Sequence, residues 1–174
     1  MTEEQRKLCR ELVITPPRGV SQISKEEFLR QFPSAVEHGK LALKWLQEAY
    51  ETRNADDLSY AFIIGFTFGF ASEHKDILRR LVDEDWHYSH EGVVSALKTW
   101  PTPDTVDALF RATQWIPKAL EYDDARALAV KAIWALGKIP GPEAEAKLEM
   151  LARSENTILR QNAVEQLERR RKAA

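Results

Sequence analysis

The chain has one cysteine, Cys9, among 174 residues, and only four histidines. A single thiol excludes an intramolecular disulfide, and so small a stock of thiol and imidazole is poor material for a structural zinc site. An excess of charge is missing too: 25 Lys plus Arg stand against 27 Asp plus Glu, a net charge of -2. No general field therefore draws the protein to nucleic acid or to an anionic membrane. Long hydrophobic runs are absent. The most apolar stretch, Ala61–Ala71 (AFIIGFTFGFA), is too short to cross a bilayer. The opening residues, MTEEQRKLCR, are polar and charged, so no signal peptide is expected and a cytoplasmic protein is. No segment alternates as a half-buried strand does. What remains is an all-α chain, long enough to bury a core and expected to form one domain over 1–174.

What is present is helix punctuation. Thr2–Gln5, Ser24–Glu27 and Ser34–Glu37 have the spacing of capping boxes. The first opens a helix carrying Leu8, Leu12 and Val13, which Thr15-Pro16-Pro17-Arg18-Gly19 ends. The second opens a short helix stopped by Pro33, and the third a long one to about Arg53 with Leu41, Ala42, Trp45, Leu46 and Ala49 inside. Asn54–Asp57 breaks and recaps the chain. Leu58–Phe70 is apolar nearly all round and predicts a buried helix. Within it Phe62, Phe66 and Phe70 lie along one face, and Gly65 and Gly69 form a small-residue stripe that would let another helix approach. A ligand pocket in this cluster is the alternative to a packed core, and core is expected. Further helices are predicted over Glu73–Glu84, Ser89–Trp100, Thr102 to near Pro117, Asp123 or Asp124 to Gly137, Gly141-Pro142-Glu143 to about Ala152, and Thr157 to about Arg171.

Two of these segments repeat one another. Ala96-Leu97-Lys98-Thr99-Trp100-Pro101-Thr102-Pro103-Asp104 matches Ala135-Leu136-Gly137-Lys138-Ile139-Pro140-Gly141-Pro142-Glu143, 39 positions on from Ala96 to Ala135. Three slots recur at helical spacing in His90–Val93–Ala96-Leu97, Ala129–Ala132–Ala135-Leu136 and Arg160–Ala163–Gln166-Leu167. Ile63–Phe70 with Glu73–Leu81 is a cruder version. Small residues at such slots let successive helix pairs stack closely, each burying its face against its neighbours. The expected architecture is an α-α superhelix, with 1–56 as an N-terminal helical layer and 57–174 as the stacked pairs.

The pattern of an Ala-Leu helix, a Gly- or Pro-rich turn and a second amphipathic helix resembles the HEAT-repeat family over Asp57–Arg170. The family's arginine slot is filled only by Arg160, with His90 and Ala129 standing there in the other units. Ile63–Phe70, Asp85–Glu91, and Glu121–Asp124 with Ala127–Gly137 look similar to small stand-alone bacterial HEAT proteins found beside polymorphic or contact-dependent toxins. That resemblance implies a non-enzymatic immunity protein that binds a cognate toxin domain and needs no cofactor.

The residues bearing function are expected just before the opening helices of consecutive units. One cluster holds Asp83, Asp85, Trp86, His87, Tyr88, His90 and Glu91; the other holds Glu121, Tyr122, Asp123 and Asp124, with Trp115 on the connection between them. Equivalent turns of stacked pairs fall on one edge, so these residues predict an acidic, aromatic ridge suited to a basic protein partner. The plainer account is that the acids serve helix N-termini and the aromatics fill gaps between pairs. His87, His90 and Glu91, with His74, form a possible but unexpected metal set; no metal is expected. A HEAT-like DNA glycosylase, using Trp115, Trp134 and Asp124, is the competing class. It would need clustered Lys and Arg, whereas Arg79, Arg80, Arg111, Lys118, Lys147 and Arg153 are interleaved with acids. A chaperone-like or lyase-like scaffold is the third reading. A monomer is expected for the free protein.

Overall fold

A computed structural model describes residues 1–13, 21–37 and 39–173. Among them every regular element is helical. The chain divides into two compact units, Met1–Ile77 and Leu78–Ala174.

The first unit holds α1 (Glu3–Leu12), α2 (Lys25–Gln31), α3 (Lys40–Thr52) and α4 (Ala55–Phe68). Thr2 and Gln5 form the expected reciprocal cap of α1, and the Ser24 side chain accepts from the Glu27 amide at the start of α2. Each satisfies backbone donors that a helix start leaves open. The stop expected at Thr15–Gly19 lies outside the described residues. The third box does not open a helix. Pro33 starts a 3₁₀ turn, Pro33–Ala35, and α3 begins only at Lys40, after Gly39 turns the chain through φ 67°. A β-carbon at Gly39 would lie 2.7 Å from the His74 ring and 2.9 Å from the Gly69 carbonyl, so only glycine fits there.

Arg53 ends α3 in the left-handed region, and Asn54 caps α4 by accepting from the Asp57 amide. The α3–α4 pair this creates is the centre of the unit, with α1 also packed on α4. Helix α4, expected to open the first solenoid pair with the helix after it, thus pairs backward with α3. Arg6 of α1 reaches the buried Asp57 through Nε at 2.6 Å. That guanidinium, foremost among the causes, holds the Asp57 carboxyl below its ordinary value. Phe28 stacks on Phe68 at 5.5 Å, and Phe32 meets the buried Trp45 edge-on at 5.7 Å.

The glycine stripe has a different role from the expected one. Helix α4 stops at Phe68, with Gly69 beyond it at φ 103°. The chain then folds Phe70 back over Gly65, where an added β-carbon would meet the ring at 2.2 Å. Phe62, Phe66 and Phe70 do cluster, with ring centroids 5.2–6.1 Å apart, but Phe66 is 53% exposed.

The boundary between the units falls within α5 (Lys75–Leu81). The second unit then holds α6 (His90–Leu97), α7 (Val106–Ala112), α8 (Ala127–Leu136), α9 (Pro142–Ala152) and α10 (Thr157–Ala173). Helix α8 packs between α6 and α10, while α7 and α9 pack on each other and on that row. Helices alternating between two layers are the arrangement of an α-α solenoid. The repeat slots face its interior: His90, Val93, Ala96 and Leu97, then Ala129, Ala132, Ala135 and Leu136, then Ala163, Gln166 and Leu167 are all buried. Arg160 is the exception; its guanidinium turns back to the Ser154 carbonyl at 2.7 Å and the Glu155 carbonyl at 3.1 Å.

Candidate functional site

The segments leading into α6 and α8, together with the first turn of α6, hold the residues expected to bear function. Their joint geometry begins with four rings. Trp86 meets His87 edge-on at 5.0 Å, His87 stacks on His90 at 4.1 Å, and His90 meets Trp115 edge-on at 5.2 Å. This column ties the approach to α6 to the connection that precedes α8. Glu91, in the first turn of α6, pairs with Lys131 in the second turn of α8, a half-exposed bridge between neighbouring helices.

The two imidazoles are held by backbone. The His87 Nδ1 accepts the Ser89 amide at 3.1 Å, which leaves Nε2–H to donate to the Leu81 carbonyl at 2.8 Å. His90 donates through Nε2 to the Glu84 carbonyl at 2.7 Å, and its Nδ1 is buried without a partner. Burial pushes the His87 pKa down to about 4, with His90 beside it adding to the effect. Burial lowers His90 as well. Both are neutral at physiological pH, which is what lets them stack. The helix begins at His90, so His87 precedes it and does not share a helical face with Glu91. Among the described residues no group of three or more His, Cys, Asp or Glu is placed to hold a metal. His74 is engaged with the Ala71 and Gly39 backbone.

The expected acidic ridge divides by role. Asp83 is paired with Arg111 at 2.8 Å. Asp123 accepts the Ala125 and Ala127 amides at 3.2 and 2.6 Å, so it is the acid that caps α8, and Asp124 is left exposed. Asp85 and Glu121 are exposed as well. Tyr88 is 51% and Tyr122 81% exposed, whereas His87 and His90 are buried and stand behind the surface as its support. Trp115 is partly buried, with its Nε1 enclosed and unpartnered. Trp134 donates to Asn162 at 2.9 Å and carries the Arg169 guanidinium over one ring face at 4.4 Å. That face is therefore not open to a nucleic-acid base.

No pattern in the chain marks Arg126, which precedes α8 at φ 54°, ψ 42°. A left-handed arginine has no compositional signature, since the residue types that signal this conformation are Gly and Asn. Its guanidinium borders an open cleft of about 300 Å³ bounded by α7, α9 and the start of α10. No family model, curated protein or solved structure matches the chain.

Proposed function

We propose that this chain is a non-enzymatic protein-binding module that neutralises a basic partner domain by covering it, as an immunity protein does a toxin. The observation that carries the reading is the pair Tyr88 and Tyr122, two large aromatics left in solvent at the approaches to adjacent helices. Exposed aromatics beside unpaired carboxylates are what a desolvated protein interface uses: the rings supply buried area, and the acids supply orientation and rate of encounter. Asp85, Glu121 and Asp124 are those carboxylates. The Trp86–His87–His90–Trp115 column and the Glu91–Lys131 pair support a rigid presentation, which lowers the ordering cost of binding. The absence of any need for chemistry follows from occlusion as the mode of inhibition.

The test is calorimetric titration of the full chain with the C-terminal domain encoded by the adjacent upstream reading frame. Binding is expected at nanomolar strength, weakened about tenfold or more by Tyr88→Ala or Tyr122→Ala and weakened by salt. Failure of that domain to bind, together with salt-sensitive retention of duplex DNA, would transfer the chain to the nucleic-acid class.

A further inference from the structure

We infer that the cleft beside Arg126 is a binding site for a small carboxylate ligand with an apolar body. The inference concerns a second site, and none of the cleft's residues belongs to the proposed protein-binding set. Its walls are Phe110 of α7, Met150 of α9 and Leu159 of α10, with Gln114 and Ser154 at its margin and Arg126 as its only charge. About 300 Å³ is the lower end of the space that small-molecule sites enclose.

The electrostatics specify the ligand. Arg79, Arg111, Arg169 and Arg170 each face a carboxylate. Among the described residues Arg126 faces none; its guanidinium makes one long hydrogen bond, 3.4 Å from Nη2 to the Thr113 carbonyl. A guanidinium with a single long hydrogen bond keeps its fork of donors available, and a planar carboxylate engages two of them at once. Ser154 Oγ already accepts the Asn156 amide at 3.2 Å, so its own proton remains to give to the same anion. A phosphate dianion would require more positive charge than one arginine supplies. The rest of the ligand would meet Phe110, Met150, Leu151 and Leu159, which suit an apolar body, with Thr113 and Gln114 beside them; Met150, 56% exposed, is an adaptable wall.

The backbone gives an independent reason to look here. Glycine adopts the Arg126 conformation freely, and arginine does so only at a cost. The conformation is imposed by Asp123, whose carboxylate takes the amides on both sides, Ala125 and Ala127. Arginine is thus held at a position its own backbone preference disfavours, with its side chain directed to a cleft that lacks a counter-ion.

The experiment titrates 4-phenylbutyrate, its neutral amide and acetate into the full chain, read by backbone amide NMR shifts and calorimetry. Phenylbutyrate should saturate one site in the sub-millimolar to millimolar range, with shifts centred on Gln114, Arg126 and Ser154, and the amide and acetate should bind about tenfold more weakly or less. Arg126→Gly accepts the left-handed backbone, so its melting temperature should be maintained or raised while affinity falls about tenfold. Arg126→Lys should retain part of the affinity. The proposal is overturned by no saturable shift at about 10 mM ligand, a concentration well above the expected Kd. Equal binding of acid and amide, shifts centred elsewhere, or unchanged affinity in a folded Arg126→Gly protein would also overturn it.

Discussion

His87 and His90 lie nearly parallel, 27° apart with ring centroids at 4.1 Å, each donating through Nε2 to a carbonyl of the preceding segment. Two stacked imidazoles in a dry setting can both be accommodated only when neutral, because charging either one sets a cation against its neighbour and against burial. The geometry therefore couples the approach to α6 to pH.

The sign follows from the shifts. His87 falls from 6.5 to about 4 in the folded protein, and His90 moves the same way. As pH drops below about 6.5 the unfolded chain takes up protons that the folded chain refuses, so stability present at neutral pH is lost toward pH 4. His87 alone accounts for ~3 kcal/mol when the titration is complete, and ~2 kcal/mol at about pH 5. Urea unfolding followed by tryptophan fluorescence at a series of pH values should show this decline. His87→Phe, which cannot titrate, should flatten the slope between about pH 6.5 and pH 4; an unchanged slope would remove His87 from the account.

Two adjacent acids should behave oppositely. Asp123 accepts two amides at the start of α8, and Asp124 is exposed and unbonded. Asp123→Ala is expected to cost about 1 kcal/mol, the usual loss for a helix cap, whereas Asp124→Ala should stay within about 0.5 kcal/mol. In the partner titration the order should reverse, with Asp124→Ala weakening association in a fully stable protein. Thermal melts of the two variants separate the roles.

Gly65 sits inside α4, where alanine would ordinarily improve a helix by up to about 1 kcal/mol. Here the new methyl would fall 2.2 Å from two atoms of the Phe70 ring, so the ring must leave its place against Phe62 and Phe66. Gly65→Ala should destabilise by about 1–3 kcal/mol in denaturant unfolding. Gly65→Ala with Phe70→Ala should recover part of that loss relative to Phe70→Ala alone.

Much of the fold was legible because helix starts and repeat slots leave local marks. Thr2, Ser24 and Asn54 cap where their spacing predicts, and the slots around Val93, Ala132 and Ala163 are buried as a stacked repeat requires. Ser34–Glu37 misled because Pro33 starts a 3₁₀ turn that the box spacing does not encode. Gly65 looked like a helix contact because nothing local shows that the chain doubles back at Gly69. The site was legible in part. That α6 and α8 are neighbours follows from the repeat frame; the Glu91–Lys131 pair joins these two helices, and the His90–Trp115 contact reaches the connection before α8. The division of the expected residues into buried His87 and His90 and exposed Tyr88 and Tyr122 was hidden, since side-chain direction in a loop has no period.

The last prediction concerns Gly137, the C-cap residue of α8. Its backbone is ordinary right-handed helix at φ −57°, ψ −24°, so alanine there carries no conformational penalty and should favour the helix by a few tenths to about 1 kcal/mol. The space says otherwise. A β-carbon would lie 2.3 Å from Gln166 Oε1 and 2.9 Å from its Cδ, and Gln166 is only 4% exposed on α10, so it has little room to withdraw. Its Nε2 is already buried without a partner, so any move must also improve or worsen an unsatisfied amide. Crowding outweighs propensity, and Gly137→Ala should lower stability by about 1–3 kcal/mol. In a Gln166→Ala background the obstruction is gone, and the same substitution should become neutral or stabilising. A double-mutant cycle in urea reads the interaction directly, with a coupling of at least about 1 kcal/mol expected. Additive effects would mean that Gln166 is not what keeps position 137 small.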